Sequence, residues 1–140
     1  MQLSEKDILN MLFDLMSNFT KIISNFSEAE KLRTIEFYII VFLGLKGPQK
    51  MAKIAEIFST TKSNVTNIID SLEEREYVIR NRSKDDRRVI LIELTEKGKN
   101  VFNETTENFK LIFEDFMKKV SKEDFEIIEK GFEKIISLYR

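Results

Sequence analysis

RNRSKDDRRVILIELTEKG, residues 80–98, reads as a strand, a charged tip, a second strand and the start of a helix. Val89 to Leu94 is rich in β-branched residues, and Ser83 to Arg87 supplies a polar turn between it and the strand-like run from Tyr77 to Arg82. Directly before lies STTKSNVTNIIDSLEEREYV, residues 59–78. Its apolar Val65, Ile68, Ile69 and Leu72 recur at three- and four-residue spacing, which predicts a helix from Lys62 to about Arg75. A polar-started helix followed by a basic β-hairpin is the layout of a winged helix-turn-helix. That layout offers a helix to the major groove of a duplex and a hairpin to the neighbouring backbone or minor groove.

Charge supports this locally and not globally. Five of the seven arginines, Arg75, Arg80, Arg82, Arg87 and Arg88, fall between residues 75 and 88, while the whole chain carries a formal net charge of −1. A near-neutral chain gives no general attraction to a polyanion, so the cluster must carry the argument by itself. With no Cys and no His, the chain has no disulfide framework, no thiol-ligated zinc and none of the commonest general base. No nucleophile–base pair, phosphate loop or metal-ligand spacing is visible, so neither an enzyme nor a cofactor is expected. MQLSEKDILN lacks a basic n-region and a small-residue cleavage site, and the longest apolar run, Phe37 to Leu43, is seven residues. The expectation is a cytoplasmic protein with no membrane partner.

Outward from the hairpin, helices dominate. Ser4 to Asp7 is a capping signal before Ile8, Leu12, Leu15, Phe19, Ile22, Ile23 and Phe26, which predicts a long amphipathic helix. Leu9, Met11, Phe13 and Met16 widen its stripe, which suggests burial on more than one side. Ser27 with Glu30 signals a second cap, followed by a helix to about Leu45 that is almost wholly apolar from Phe37 and should be central; Gly47-Pro48 ends it. A short helix from Gln49 to Phe58 has Met51, Ile54, Ala55 and Phe58 on one face. Beyond the hairpin, Thr95 reads as an N-cap of a helix to about Val120, and Ser121 with Asp124 caps a last helix to Tyr139. The fold class is mainly α with a small β-hairpin wing (α+β). Residues 31–95 form the winged helix-turn-helix, flanked by dimerisation helices in 1–30 and 96–140. The flanking Phe, Ile and Leu exceed what one small lobe can cover, so they pair two copies or make a self-contained helical subdomain.

In a helix-turn-helix the first residues of the second helix face base edges. Here they are Thr61, Lys62, Ser63 and Asn64, with Thr66 and Asn67 one turn on. Asn can bond adenine bidentately, Lys can reach guanine or phosphate, and a Thr methyl can meet thymine. The same residues also suit an ordinary exposed helix start. Arg80, Arg82, Lys84, Arg87 and Arg88 of the hairpin are the candidate backbone and minor-groove cations. Asp86 stands two residues before Arg88, where a carboxylate can pair with the guanidinium and hold it in one rotamer.

These residues resemble the MarR family of bacterial winged-helix regulators, most tightly from Ile54 to Gly98. Ile54-Ala55-Glu56 is similar to the family's Leu-Ala-Glu helix start. Thr61-Lys62-Ser63-Asn64-Val65-Thr66 is similar to its Ser-Arg-Ser-Thr-Val-Thr segment. Asp86-Arg87-Arg88 followed by Leu94-Thr95-Glu96-Lys97-Gly98 resembles its Asp-x-Arg wing and Leu-Thr-x-x-Gly exit. The resemblance implies a homodimer that binds double-stranded DNA at a pseudo-palindromic operator, most often as a repressor. It implies recognition by the helix starting near Thr61 and minor-groove contact by Arg88, oriented by Asp86. It also implies a small aromatic effector that releases DNA in many relatives. Asn67 and Ser71 depart from positions that are often basic. Glu76 replaces a common Gly; if its backbone is left-handed, the departure costs about 1 kcal/mol. The alternative to a DNA binder is a winged helix kept as a protein-interaction scaffold.

Overall fold

In the computed structural model, which describes residues 2–24 and 31–140, the elements run α1 (Glu5–Ser24), α2 (Thr34–Lys46), α3 (Met51–Ile57), α4 (Lys62–Glu74), β1 (Val78–Arg82), β2 (Ile90–Leu94), α5 (Glu96–Lys119) and α6 (Lys122–Leu138). The strands pair antiparallel with Val78 opposite Leu94 and Arg82 opposite Ile90. This is the mainly helical α+β architecture with a two-stranded wing. The chain divides into two compact units, Met1–Thr105 and Thr106–Arg140.

The core of the first unit is built on α2, as its apolar run predicts. Phe37, Ile39, Ile40 and Leu43 are buried with Ile54 and Ala55 of α3, Val65, Ile68, Ile69 and Leu72 of α4, and Val78, Ile92 and Leu94 of the wing. All four apolar residues singled out on α4 therefore face inward. Gly44 lets α2 approach α5 closely, because a Cβ there would overlap the Phe102 ring.

Capping fixes most boundaries. Ser4 Oγ accepts from the Asp7 N–H while Asp7 accepts from the Ser4 N–H, closing a capping box on α1. Thr95 Oγ1 accepts from the Gly98 N–H at 3.1 Å, and Ser121 Oγ from the Asp124 N–H at 3.1 Å. The Ser27–Glu30 cap lies outside the described residues. α2 itself starts at Thr34 with Arg33 as N-cap, and the Glu36 carboxylate one turn in accepts the Arg33 N–H at 3.0 Å. The start of α3 also differs from the sequence reading. Gln49 does not open α3 but pairs with Ile92 in an isolated bridge, its N–H donating to the Ile92 carbonyl at 3.0 Å and its carbonyl accepting at 2.7 Å. Two backbone bonds to Ile92 hold Gln49 in extended pairing, and the bridge anchors the wing to the lobe.

α3 and α4 end alike. The N–H of Thr60 returns to Ala55 and that of Ser59 to Glu56; the N–H of Tyr77 returns to Leu72 and that of Glu76 to Glu73. Each is a Schellman turn, which places one residue in the left-handed region. Those residues are Ser59 (φ 49°) and Glu76 (φ 67°), so Glu76 does occupy the conformation that a Gly would hold without strain.

The terminal helices contrast with this lobe. On α1, Ile8, Leu9, Met11, Leu12, Phe13 and Met16 are exposed, so these positions of the wide stripe, read as buried on more than one side, are not buried. In the second unit the Phe113 and Phe125 rings meet edge-on at 6.5 Å, while Phe109, Phe132, Ile135 and Ile136 are exposed.

Candidate nucleic-acid interface

The interface begins at the turn before α4. Thr61, in extended backbone, caps the helix by accepting from the Asn64 N–H at 3.1 Å. Asn64 donates a side-chain N–H to Thr60 Oγ1 at 2.8 Å, and the Thr66 hydroxyl donates to the Lys62 carbonyl at 2.7 Å. Thr61, Lys62, Ser63, Asn64 and Asn67 are exposed and Thr66 is half-buried. The Asn64 pairing fixes its amide while its oxygen remains able to accept. α4 thus presents a short row of polar groups at its N-terminal end, where unpaired backbone N–H groups also favour a phosphate oxygen.

The wing tip is a closed loop. The Ser83 N–H donates to the Val89 carbonyl at 2.8 Å, the Val89 N–H to the Asp86 carbonyl at 3.0 Å, and an Arg82 guanidinium N–H to the Arg87 carbonyl at 2.9 Å. Asp86 receives three bonds from Arg88: the backbone N–H at 3.0 Å, and Nε and a terminal nitrogen at 3.1 Å each. Those bonds, with the charge of Lys50 nearby, hold the Asp86 carboxyl below its ordinary value. The Arg88 side chain stays 90% exposed. A fork pair that leaves its arginine in solvent orients the guanidinium without burying it, so it can meet a ligand with little rotamer entropy left to lose. The spacing argument for Asp86 and Arg88 therefore holds in the geometry.

The base of the wing treats its arginines differently. Arg75 donates to the buried Glu36 carboxylate at 2.7 Å, and further to the Ser71 hydroxyl and carbonyl and to the Lys31 carbonyl. Arg33 reaches the same carboxylate at 2.9 Å. Burial pushes the Glu36 carboxyl up, but the bonds from Arg75 and Arg33 and the Arg75 charge outweigh it and leave the group below its ordinary value. Arg80 is held at 2.6 Å by both Asp70 and Glu73 of α4. The Thr95 hydroxyl donates to the Glu76 carbonyl at 2.5 Å, and Lys97 donates to the Arg75 carbonyl at 2.9 Å with its ammonium 4.4 Å from the Tyr77 ring. Gly98 is required there because a Cβ would overlap the Tyr77 carbonyl oxygen.

Between α4 and the wing runs a cleft of about 420 Å³. Its apolar floor is Met51, Val89, Ile90 and Ile92, and its cations are Lys50, Lys62, Arg80 and Arg88. Lys50 went unnoticed in the sequence because it sits outside both the hairpin and the helix start; only folding brings it beside Arg88. Arg82 and Lys84 face the other side of the wing, in a cleft with Pro48 and Glu93, and Arg87 is exposed at the tip.

Comparison with known proteins agrees with this geometry. The sequence profile of the MarR family matches residues 35–90, from α2 through the wing tip. A MarR-like transcriptional regulator of Thermotoga maritima has 39% sequence identity, with a TM-score of 0.83 and 99% of each chain covered. The chain belongs to the MarR family. This MarR-family chain is also 41% identical over 78 residues to the HTH-type transcriptional regulator YpoP of Bacillus subtilis, a match that covers 54% of the chain and 55% of that relative. It thus spans about half the length of that curated relative. The fold is shared with FabT of Streptococcus pneumoniae, solved in complex with DNA, at 22% identity and a TM-score of 0.80 over 96% of this chain and 94% of FabT. Among the described residues, no helix is long and apolar enough to cross a membrane.

Proposed function

We propose that this MarR-family protein is a dimeric, sequence-specific DNA-binding transcriptional regulator that acts as a repressor. The observation that carries the reading is the wing tip, where Asp86 aims an Arg88 that is 90% exposed on the same side as the polar start of α4. Lys62, Ser63, Asn64 and Asn67 would read base edges, with Thr61 and Thr66 shaping the helix start. Arg88 would enter the minor groove, while Lys50, Arg82, Lys84 and Arg87 supply salt-dependent phosphate contacts. It acts by binding, in the cytoplasm where its DNA lies, with no catalytic step.

In this reading residues 31–95 carry the DNA contacts, and 1–30 and 96–140 pair two copies. The exposed apolar residues of α1, and separately those of residues 106–140, support the dimer, since monomers rarely leave such patches in water. Two lobes would read half-sites about one helical turn apart in a pseudo-palindrome. Release by a small aromatic effector would be a population shift toward lobe spacings that no longer match successive major grooves.

A second reading, a protein-interaction scaffold, draws on the internal pairing of Arg75 and Arg80, which leaves fewer cations for DNA. Selection of bound duplexes from a random pool, with sedimentation of the free protein, separates the two. An enriched inverted repeat bound by a sedimenting dimer supports the regulator. An unenriched pool after several rounds contradicts it and leaves the scaffold.

A further inference from the structure

Arg80 belongs by position to the basic hairpin, yet its surroundings are those of a structural joint. One terminal nitrogen donates to Glu73 and the other to Asp70, both at 2.6 Å. The second Glu73 oxygen accepts the Arg80 backbone N–H at 3.2 Å. Asp70 and Glu73 lie three apart on α4 and so share one face of it. The Arg80 side chain is only 27% exposed. A planar fork reaching two carboxylates, with one carboxylate also holding the strand's own N–H, fixes both distance and angle between α4 and β1.

Resting on the DNA-binding reading above, we propose that Arg80 is a positioning residue and not a phosphate contact. With Asp70 and Glu73 it sets the separation between the base-reading start of α4 and the wing-tip Arg88. The carboxylates explain themselves only in this role. Two acidic residues on a DNA-reading helix repel the duplex, and here a single guanidinium ties both to the wing. Arg88 shows what the opposite arrangement looks like: one carboxylate partner, two residues away, and a side chain left in solvent. Both elements of DNA recognition hang from the joint, since α4 carries Lys62 to Asn67 and β1 leads directly into the tip.

The two roles respond oppositely to substitution. A phosphate contact tolerates Lys, a point charge, whereas a joint that must reach two carboxylates at once from a planar fork does not. Losing a phosphate contact flattens the plot of log affinity against log salt by about 0.9, whereas losing a joint leaves the slope and lowers discrimination. Removing Asp70 and Glu73 charge strengthens binding if Arg80 faces phosphate, and weakens selective binding if it faces the carboxylates.

The experiment uses full-length protein and a duplex that the wild type selects from a random pool, against a scrambled duplex, across a salt series. The variants are Arg80→Ala, Arg80→Lys and the double variant Asp70→Asn, Glu73→Gln. Hydrogen exchange of the free proteins is followed at the wing amides. We expect all three to lose about tenfold in preference for the selected duplex, with the salt slope unchanged in the two Arg80 variants, and to exchange faster in residues 78–94 than wild type. A slope reduced by about 0.9 in Arg80→Ala, rescued by Arg80→Lys, would overturn the joint while leaving the DNA reading intact. A wild type that prefers no duplex would overturn both. Wing exchange unchanged in all three variants would overturn the joint whatever the DNA result.

Discussion

At the base of the wing, Arg75 is turned inward onto the buried Glu36 and Arg80 is clasped by the surface carboxylates of Asp70 and Glu73; at its tip, Arg88 is turned outward by Asp86. Base and tip lie within fourteen residues and use the same side chain, so the difference comes from what each arginine is folded against. At the base the partner carboxylates come from α2 and α4, which pack beneath the wing, and the Glu36 side chain is only 2% exposed. At the tip the partner is two residues away in the same loop, and water covers the pair. A buried pair is costly to break because one charge is left stranded, whereas an exposed pair contributes little stability and serves to set a rotamer. The Arg75–Glu36 pair at the base is therefore predicted to govern stability and the tip affinity.

The largest expected effect is at the base. Arg75→Ala should cost about 3 kcal/mol in denaturant unfolding, the low end for a broken buried pair because Arg33 still holds Glu36. A loss under about 1 kcal/mol would mean that the base is no more committed than the tip. Gly98→Ala should follow at about 2 kcal/mol, since its Cβ overlaps the Tyr77 carbonyl oxygen and the backbone must shift. The same unfolding series reads it.

At the tip, Arg88→Ala should leave the midpoint of thermal unfolding unchanged and weaken specific DNA binding by roughly tenfold to a hundredfold. Equal losses of stability and affinity would erase the contrast. Acid should sharpen it. The Glu36 carboxyl lies below its ordinary value in the folded state, so its contribution is present above the unfolded value of about 4.3 and disappears as pH falls through the folded one. Unfolding free energy measured between about pH 6 and pH 3 should fall less steeply in Glu36→Gln, which starts less stable, than in wild type. Parallel curves would mean that Glu36 does not carry the pH dependence. The smallest effect is a gain: Glu76→Gly should relieve the left-handed strain at φ 67° and stabilise by about 0.5–1 kcal/mol, net of the extra unfolded-state entropy of Gly.

What could be read from the sequence was local. The caps at Ser4, Thr95 and Ser121 depend on residues three positions apart, and the inward face of α4 on a helical period, so both were legible. The Asp86–Arg88 pair was legible for the same reason. Gln49 was misplaced because its partner, Ile92, is remote in the chain, and strand pairing of that kind leaves no periodic trace. Arg75 and Arg80 looked like part of one basic patch because their partners depend on how α2 and α4 pack. One signal was present: Glu36 is a lone acid in the otherwise apolar run from Ile35 to Leu43, and a buried acid needs a cation. Apolar periodicity in α1 and α6 showed that a face is oily. It could not say what covers that face, and Ile8, Leu9, Met11, Leu12, Phe13 and Met16 are exposed.

The most direct test of the account is fluorescence anisotropy of wild type and Arg88→Ala on a duplex that the wild type selects, against scrambled duplex, over a salt series. The account predicts a preference of about a thousandfold or more for the selected duplex, with Arg88→Ala lowering affinity and reducing the salt slope by about 1. Equal weak binding to both duplexes, unaltered by Arg88→Ala, would contradict it.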